Sequence, residues 1–576
     1  MHRSFNGNIY VWYMAHQLLF LSEAESLFHH SVGKCSSTKI FYKYINRKFI
    51  IMKKKFLGIC ALLAGMLLPA SAQTFQNPVM WADVPDMDVI RIDDTFYMVS
   101  TTMHLMPGAP IMESHDLVNW KIIGYLFDKL TGSPKYDMSG GTAYGRGQWA
   151  TSLKYHHGKF YALFAPNDLP GNETYIMTAD KIAGPWKVVS RLPHFHDASL
   201  FFDDDDRVYV VYGTGDMVEL AQDMKSVKPD SHIKLFERDA EENGLLEGSR
   251  MLKKDGRYYL LMISWAKDHP RREVCYRSNN IRGPYEKKVI LETLFDGFGG
   301  VAQGTIVDTK DGRWYGMIFQ DRNGVGRVPT IEQCIWIDGW PMLGNAEGNE
   351  IPKIMEKPVQ GFSDGGIVTS DEFSDNKLKL EWEWNHNPID RAWSLTEREG
   401  WLRLKTSRVV QNIFVAPNTI SQRMEGPICE GIIRMDVSGM QDGDVAGLSA
   451  FQNDALMLSV VKERKKVYLV GTTESVSLEP ETHAVTGVDR KEQFRMPLKQ
   501  KEVYLKVEAD FVNGHDIAAV SYSLDGKTFR KVIKDFKLIY DYRRFFMGTR
   551  FGIYNYATKL PGGYVDIDYF HYKRYE

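Results

Sequence analysis

A short phrase recurs five times between Asp94 and Tyr315, and it limits the possible folds more than any other feature of the chain. Each copy is a turn pair followed by an aromatic or β-branched residue and then tyrosine. The copies are Asp94-Thr95-Phe96-Tyr97, Gly158-Lys159-Phe160-Tyr161, Asp206-Arg207-Val208-Tyr209, Gly256-Arg257-Tyr258-Tyr259 and Gly312-Arg313-Trp314-Tyr315. Their tyrosines are 64, 48, 50 and 56 residues apart. Short apolar runs such as Val208–Tyr212 and residues 258–263 follow, as expected of a tight turn entering a buried strand. A β-unit repeating about every 50 residues matches the blade of a propeller better than a sandwich or a solenoid. Five units predict five blades.

The 576 residues exceed one ordinary core, so a second domain is expected. Residues 336–341 and the Pro/Gly-containing stretch 352–366 read as closure and linker. Beyond them, strand-like runs such as 467–470 and 503–507 alternate without a sustained helical period, which predicts a β-sandwich. The predicted division is a propeller over residues 73–360 and a sandwich over 361–576. Residues 52–72 carry three lysines, an apolar run and the small-residue end Ala70-Ser71-Ala72, the pattern of a secretory signal. Residues 1–51 then read as an upstream extension that is not native, and the mature protein is expected to be secreted or periplasmic. The run is too short for a stable membrane span, so an integral membrane protein is not expected. A net charge of -2 gives no polyanion-binding surface and argues against nucleic acid as a partner. Five cysteines, of which Cys275, Cys334 and Cys429 lie beyond the signal, form no disulfide or thiolate-metal pattern.

A propeller gathers one end of every blade around its axis, so acids just ahead of the repeat phrases can converge. Three stand about ten residues before their phrases: Asp86 ahead of the first, Asp197 ahead of the third and Glu247 ahead of the fourth. Singly, each is more readily explained as a turn or cap carboxylate. Together they suit hydrolysis of a glycosidic bond with inversion. That reaction needs one carboxylic acid to protonate the leaving oxygen, and one carboxylate roughly 6.5–9.5 Å away to activate water. A third carboxylate beside the acid helps it keep its proton.

At these residues the chain resembles glycoside hydrolase family 43. The phrases that carry the resemblance run in order over residues 75–576: Asn77-Pro78-Val79, Val84-Pro85-Asp86, Thr101-Thr102-Met103-His104, Trp149-Ala150, Asp197-Ala198-Ser199-Leu200, Glu247-Gly248, and Gln320-Asp321 through Gly326-Arg327. The resemblance implies a five-bladed propeller in which Asp86 is the general base, Glu247 the general acid and Asp197 the residue that orients the acid and raises its pKa. It also implies that Arg327 contacts sugar hydroxyls or the modulating carboxylate, that Trp149 offers its face to the sugar, and that Met103 and His104 shape the rim of the sugar pocket. Two departures stand out. Asp88 adds an acid beside the base, and Gln303 occupies a place where many relatives carry a histidine associated with a central calcium or water.

The second domain, with residues 371–373, 382–388, 393–395 and 442–448, resembles the concanavalin-like C-terminal domain of the family's β-xylosidases and arabinofuranosidases. The whole is thus expected to be all-β, a propeller followed by a concanavalin-like sandwich. In relatives this sandwich can narrow the active pocket, and Glu372 and Asp568 could share a structural calcium. No cofactor is expected for the chemistry. The implied activity is exo-acting release of terminal α-L-arabinofuranosyl or β-D-xylosyl residues from plant cell-wall glycans or their oligosaccharides. A secreted carbohydrate-binding propeller without catalysis is the alternative. Arabinose against xylose and the number of subunits stay open at this point.

Overall fold

The computed structural model describes residues 72–167 and 173–576. The upstream segment 1–51 and the signal reading of 52–72, apart from Ala72, lie outside the described residues. Residues 73–576 form one compact unit.

Five four-stranded antiparallel sheets build the propeller, each from a continuous piece of chain. Blade 1 spans residues 88–127, blade 2 148–193, blade 3 199–234, blade 4 245–291 and blade 5 301–343. Every repeat phrase marks the hairpin between the first and second strands of its blade. These turns need left-handed backbone, supplied by Asp93 (φ 52), Gly158 (φ 77), Asp206 (φ 63), Gly256 (φ 75) and Gly312 (φ 84). In blades 2 and 4 the two-residue loops His157-Gly158 and Asp255-Gly256 have positive φ at both positions. That geometry matches the right-handed twist of the flanking strands. The next residue inward, Phe96, Phe160, Val208 or Tyr258, is buried, and each such burial stabilises by about 1.5–3 kcal/mol.

The ring is closed by the pairing of Thr74–Gln76 with Ile354–Glu356. Asn77 reinforces it by exchanging hydrogen bonds with the backbone of Ile331, 2.9 Å as donor and 3.0 Å as acceptor. Residues 336–341 are not a closing linker. They form the last hairpin of blade 5, joining Arg327–Ile337 to Trp340–Leu343, with Asp338 and Gly339 left-handed at the turn. Cys275, Cys334 and Cys429 are buried and unpaired.

The second domain is a sandwich of two antiparallel sheets around one apolar core. One sheet has seven strands. The other has seven sandwich strands and an eighth, Leu105–Met106, contributed by blade 1 and paired with Glu383–Asn385. Beside this shared strand lies a buried charge cluster. Glu383 is ion-paired with Arg423 at 3.2 Å and Arg550 at 2.6 Å, while Arg423 Nε donates to the Asp83 carbonyl of the propeller at 3.0 Å.

Candidate active site

The inner strands of the blades carry their side chains to one end by two local devices. In blades 2, 4 and 5 the first strand is bulged, between Gln148 and Thr151, Glu247 and Arg250, and Val301 and Gly304. A bulge breaks the two-residue alternation of a strand and re-aims the extra side chain. In blades 1 and 3 an aspartate just before the strand does the same with left-handed backbone, at Asp86 (φ 54) and Asp197 (φ 46). Each blade therefore offers an irregular station at the same level, and these stations hold Asp86, Trp149, Asp197, Glu247 and Gln303.

Asp86 is buried and ion-paired. Arg327 Nη1 lies 2.9 and 3.0 Å from its two oxygens, so the arginine engages the expected base and not the modulating Asp197. Arg327 in turn donates from Nη2 to the Phe546 carbonyl at 3.2 Å, and its guanidinium lies 4.0 Å from the centre of the Phe546 ring. Phe546 belongs to the sandwich, so the second domain forms a wall of the site. Asp88 does not compete for the role of base. It is fully buried and held by Lys154 at 3.1 Å, the Leu153 N–H at 2.8 Å and Ser152 at 3.3 Å, which makes it a brace between blades 1 and 2.

Glu247, Asp197 and His196 form a compact group whose nitrogen and oxygen atoms lie within 4.8 Å of one another. His196 Nε2 is 3.0 Å from Glu247 Oε2. Asp86 stands outside this group but still acts on it. Burial pushes the Asp197 carboxyl up to about 7, with the negative charges of Glu247 and Asp86 adding to the effect and His196 and Arg250 opposing it. The His196 imidazole is raised to about 9, first by Asp197 and then by Glu247 and Asp86, against the effect of burial. Arg250, also buried, donates to the Asp86 carbonyl at 2.9 Å and the Thr151 carbonyl at 3.3 Å, and so pins blades 1, 2 and 4 together beneath the acids.

Trp149 is half-buried, and its ring centre lies 5.9 Å from those of His196 and Phe546. Gln303 sits below Glu247. Its side chain packs against Gly248, where a β-carbon would meet Gln303 at 3.0 Å, and its N–H donates to Glu273 at 2.7 Å. Met103 and His104 are not pocket residues. Met103 is fully buried and packs with Leu105 and Met547 behind Trp149 and Phe546. His104 is also fully buried, with its ring centre 4.8 Å from Tyr144 and 5.0 Å from His386 in an aromatic layer between propeller and sandwich. Burial first, and His386 second, drive its imidazole well below the usual range, so it is neutral packing. The sugar-pocket phrase misled because a left-handed Met103 (φ 54) turns the segment away from the pocket.

Glu372 and Asp568 have separate partners. Glu372 is exposed and lies 2.7 Å from His571, whereas Asp568 is 2.7 Å from Arg434. Neither belongs to a cluster of three or more metal-ligating side chains among the described residues. This arrangement lacks the converging oxygens that calcium requires. Asp239, Glu241 and Glu242 do cluster, but Lys287 reaches all three at 2.6–3.1 Å and supplies the cation.

Sequence reasoning missed His196, Arg250 and Phe546. The first two lie inside or beside the quoted phrases and could have been flagged as polar neighbours of the acids. Phe546 lies 219 residues from its partner Arg327 and has no local signal.

Comparison with known proteins places these features in a family. The description "Glycosyl hydrolases family 43" matches residues 75–341, and "Beta xylosidase C-terminal Concanavalin A-like domain" matches 370–573. A beta-xylosidase of Formosa agariphila is 30% identical over 563 residues, covering 87% of this chain and 90% of that protein. A non-reducing end alpha-L-arabinofuranosidase of Bacteroides ovatus is 28% identical, covering 65% of this chain and 73% of its own. Among solved structures, the bifunctional GH43-CE protein of Bacteroides eggerthii superimposes with a TM-score of 0.80 at 40% identity over 87% of this chain, which spans 64% of that larger chain. A GH43 enzyme engineered to display both endo-xylanase and exo-arabinofuranosidase activity gives 0.79 at 29% identity, covering 87% of this chain and all of its own. By both its domains and its full-length relatives, the chain belongs to glycosyl hydrolases family 43 and is a glycosidase.

Proposed function

We propose that this glycosidase is exo-acting and inverting, and that it removes terminal α-L-arabinofuranosyl or β-D-xylosyl residues from plant cell-wall glycans or their oligosaccharides. The observation that carries the reading is the division of the acids. Asp86 is paired with Arg327, apart from the Glu247–Asp197–His196 group, with Phe546 against Arg327 and Trp149 between Phe546 and His196.

In this mechanism Glu247 gives a proton to the glycosidic oxygen as its bond to the anomeric carbon breaks. Asp86 takes a proton from the water that attacks that carbon from the opposite side. The cycle leaves Glu247 ionised and Asp86 protonated, and exchange with solvent restores both. Asp197 stores a proton near neutral pH beside Glu247, while Arg327 fixes the orientation of Asp86. The wall formed by Phe546 favours a pocket that admits a chain end over an open cleft, and the relatives named for xylose and arabinose support those two sugars. A purely carbohydrate-binding role is disfavoured, because binding alone does not require three converging carboxyls.

The enzyme is read as working outside the cytoplasm, on the strength of the signal pattern at residues 52–72. No helix among the described residues is long and apolar enough to cross a membrane.

The test is proton NMR of aryl α-L-arabinofuranoside and aryl β-D-xyloside hydrolysis. The expected result is release from one or both, with the inverted anomer formed first. Retention, or no release from either, removes the proposal. Glu247→Gln and Asp86→Asn are each expected to lower kcat at least 10³-fold with the fold intact, about 4 kcal/mol of transition-state stabilisation.

A further inference from the structure

His196 is a side chain in direct contact with Glu247 that the mechanism above leaves without work. It lies next to Asp197 in the chain, and neighbours on an extended strand point to opposite faces. Here the left-handed backbone of Asp197 (φ 46) breaks that rule, so both side chains converge on the same glutamate. The His196 carbonyl is anchored by the Gly213 N–H at 2.9 Å, and its ring sits against Trp149, with centres 5.9 Å apart. The imidazole thus has a fixed origin and a fixed wall, and its Nε2 reaches Glu247 Oε2 at 3.0 Å.

We propose that His196 is a positioning residue for the acid: its Nε2–H holds Glu247 Oε2, so that the other oxygen, Oε1, faces the glycosidic oxygen, and its charge steadies the carboxylate left when the proton departs. This rests on the assignment of Glu247 as the acid. The step balances within the mechanism given. The proton moves from Glu247 to the leaving oxygen, and His196 keeps its own proton throughout.

The charges around the imidazole support this role. Three carboxyl groups, those of Asp197, Glu247 and Asp86, face it and favour its charged form, and His194, with its ring centre 6.3 Å away, is the only other titratable ring against it among the described residues. Burial, with His196 adding, lowers the His194 pKa, so it brings no competing charge at neutral pH. His196 and Asp197 therefore flank Glu247 with opposite tendencies. The imidazolium draws the proton off, and the aspartate keeps it on. A balance of this kind suits a group that must hold a proton before bond cleavage and release it during cleavage.

The experiment compares His196→Ala, His196→Gln and Asp197→Asn on aryl glycosides of graded leaving-group acidity, and records kcat/KM against pH. A dinitrophenyl leaving group departs without much help from an acid, whereas a phenyl group or a sugar needs it. In His196→Ala, kcat/KM for phenyl glycosides is expected to fall about 10- to 100-fold, and at least ten times further than for dinitrophenyl glycosides. His196→Gln, whose amide N–H can reach the same oxygen, recovers part of the loss. The alkaline limb of the profile moves up in His196→Ala, because a positive neighbour is gone. It moves down in Asp197→Asn, because a negative one is gone. A uniform loss across leaving groups, or an unmoved alkaline limb in both His196 variants, reduces His196 to a packing residue. If Glu247→Gln keeps full activity on phenyl glycosides, the assignment of the acid fails and this proposal falls with it. If Glu247→Gln is inactive on phenyl glycosides and His196→Ala loses uniformly, only the role of His196 is overturned.

Discussion

Asp86 and Asp88 are two positions apart, and only one can serve the chemistry. Asp88 is wholly buried; burial alone would raise its pKa, but Lys154, Arg250 and the Leu153 N–H outweigh that and lower it, so it is an ionised brace. Removing its charge leaves Lys154 and the buried Arg250 uncompensated, which typically costs about 3–5 kcal/mol. Asp88→Asn is therefore expected to lower the urea midpoint clearly, whereas Asp86→Asn abolishes turnover with a smaller loss of stability. Parallel urea melts and rates on the two variants distinguish brace from base. Asp197 adds a pH dependence of known sign. Its folded-state pKa of about 7 lies above the value near 3.9 of an unfolded aspartate, so the folded protein holds the extra proton between those limits. Stability then falls as pH rises from about 4 to 7, by at most about 4 kcal/mol. Asp197→Asn removes that term, so thermal melts at pH 5 and pH 8 should differ less for the variant than for the wild type. The family resemblance chose Asp86 over Asp88, but strand periodicity would not, because an extended strand would place both on the same face. The left-handed φ at Asp86 is what parts them.

At the scale of elements, the repeat phrases could be read because a two-strand hairpin encodes its own turn. Asp or Gly supplies left-handed backbone, and the next aromatic or β-branched residue enters the blade core. The same reasoning misjudged residues 336–341, since Asp-Gly and Pro punctuate a hairpin as readily as a linker. The phrases Trp149-Ala150 and Glu247-Gly248 were recognisable as words, and Gln303 as a departure from the family pattern, but that all three lie at bulges in the first strands of their blades emerges only from strand pairing. The sandwich loop 538–549 was out of reach altogether. It is anchored where Asp83 accepts the Gly548 N–H and the Arg327 N–H, both at 2.8 Å, and it then presents Phe546 to the site. Phe546→Ala removes a ring 4.0 Å from the Arg327 guanidinium. A desolvated contact of this type is worth about 1–2 kcal/mol, so kcat/KM on aryl glycosides should fall about 5- to 30-fold. Phe546→Tyr, which keeps the ring, should retain most of it, and steady-state kinetics on both variants check the claim.

Across the whole molecule, one site built by two domains requires that they not move apart, and the interface is constructed accordingly. A short strand from the blade 1 segment pairs into a sandwich sheet, an aromatic layer of His104, Tyr144, His386 and Phe545 fills the gap, and Glu383 pairs with both Arg423 and Arg550 out of contact with water. Two domains were legible from composition and repeats, but their union was not, because every one of these contacts joins residues far apart in sequence. The union has a thermodynamic signature. Glu383→Ala leaves two buried guanidinium groups without their carboxylate, at a cost of about 3–5 kcal/mol. If residues 73–576 unfold as one cooperative unit, an unfolding entropy of about 2.1 cal/mol/K per residue sums to about 1 kcal/mol/K, and the midpoint should drop only about 3–5 °C. If the sandwich melts alone, its roughly 200 residues give about 0.4 kcal/mol/K, and the same mutation should move its own transition by about 7–12 °C. The contacts across the interface favour the first outcome. Calorimetry of wild type and Glu383→Ala is expected to show one endotherm in each, displaced by the smaller amount, and activity lost along the same curve. A separate sandwich transition with the larger displacement would mean that the domains fold independently and that Phe546 reaches the site only while both are intact.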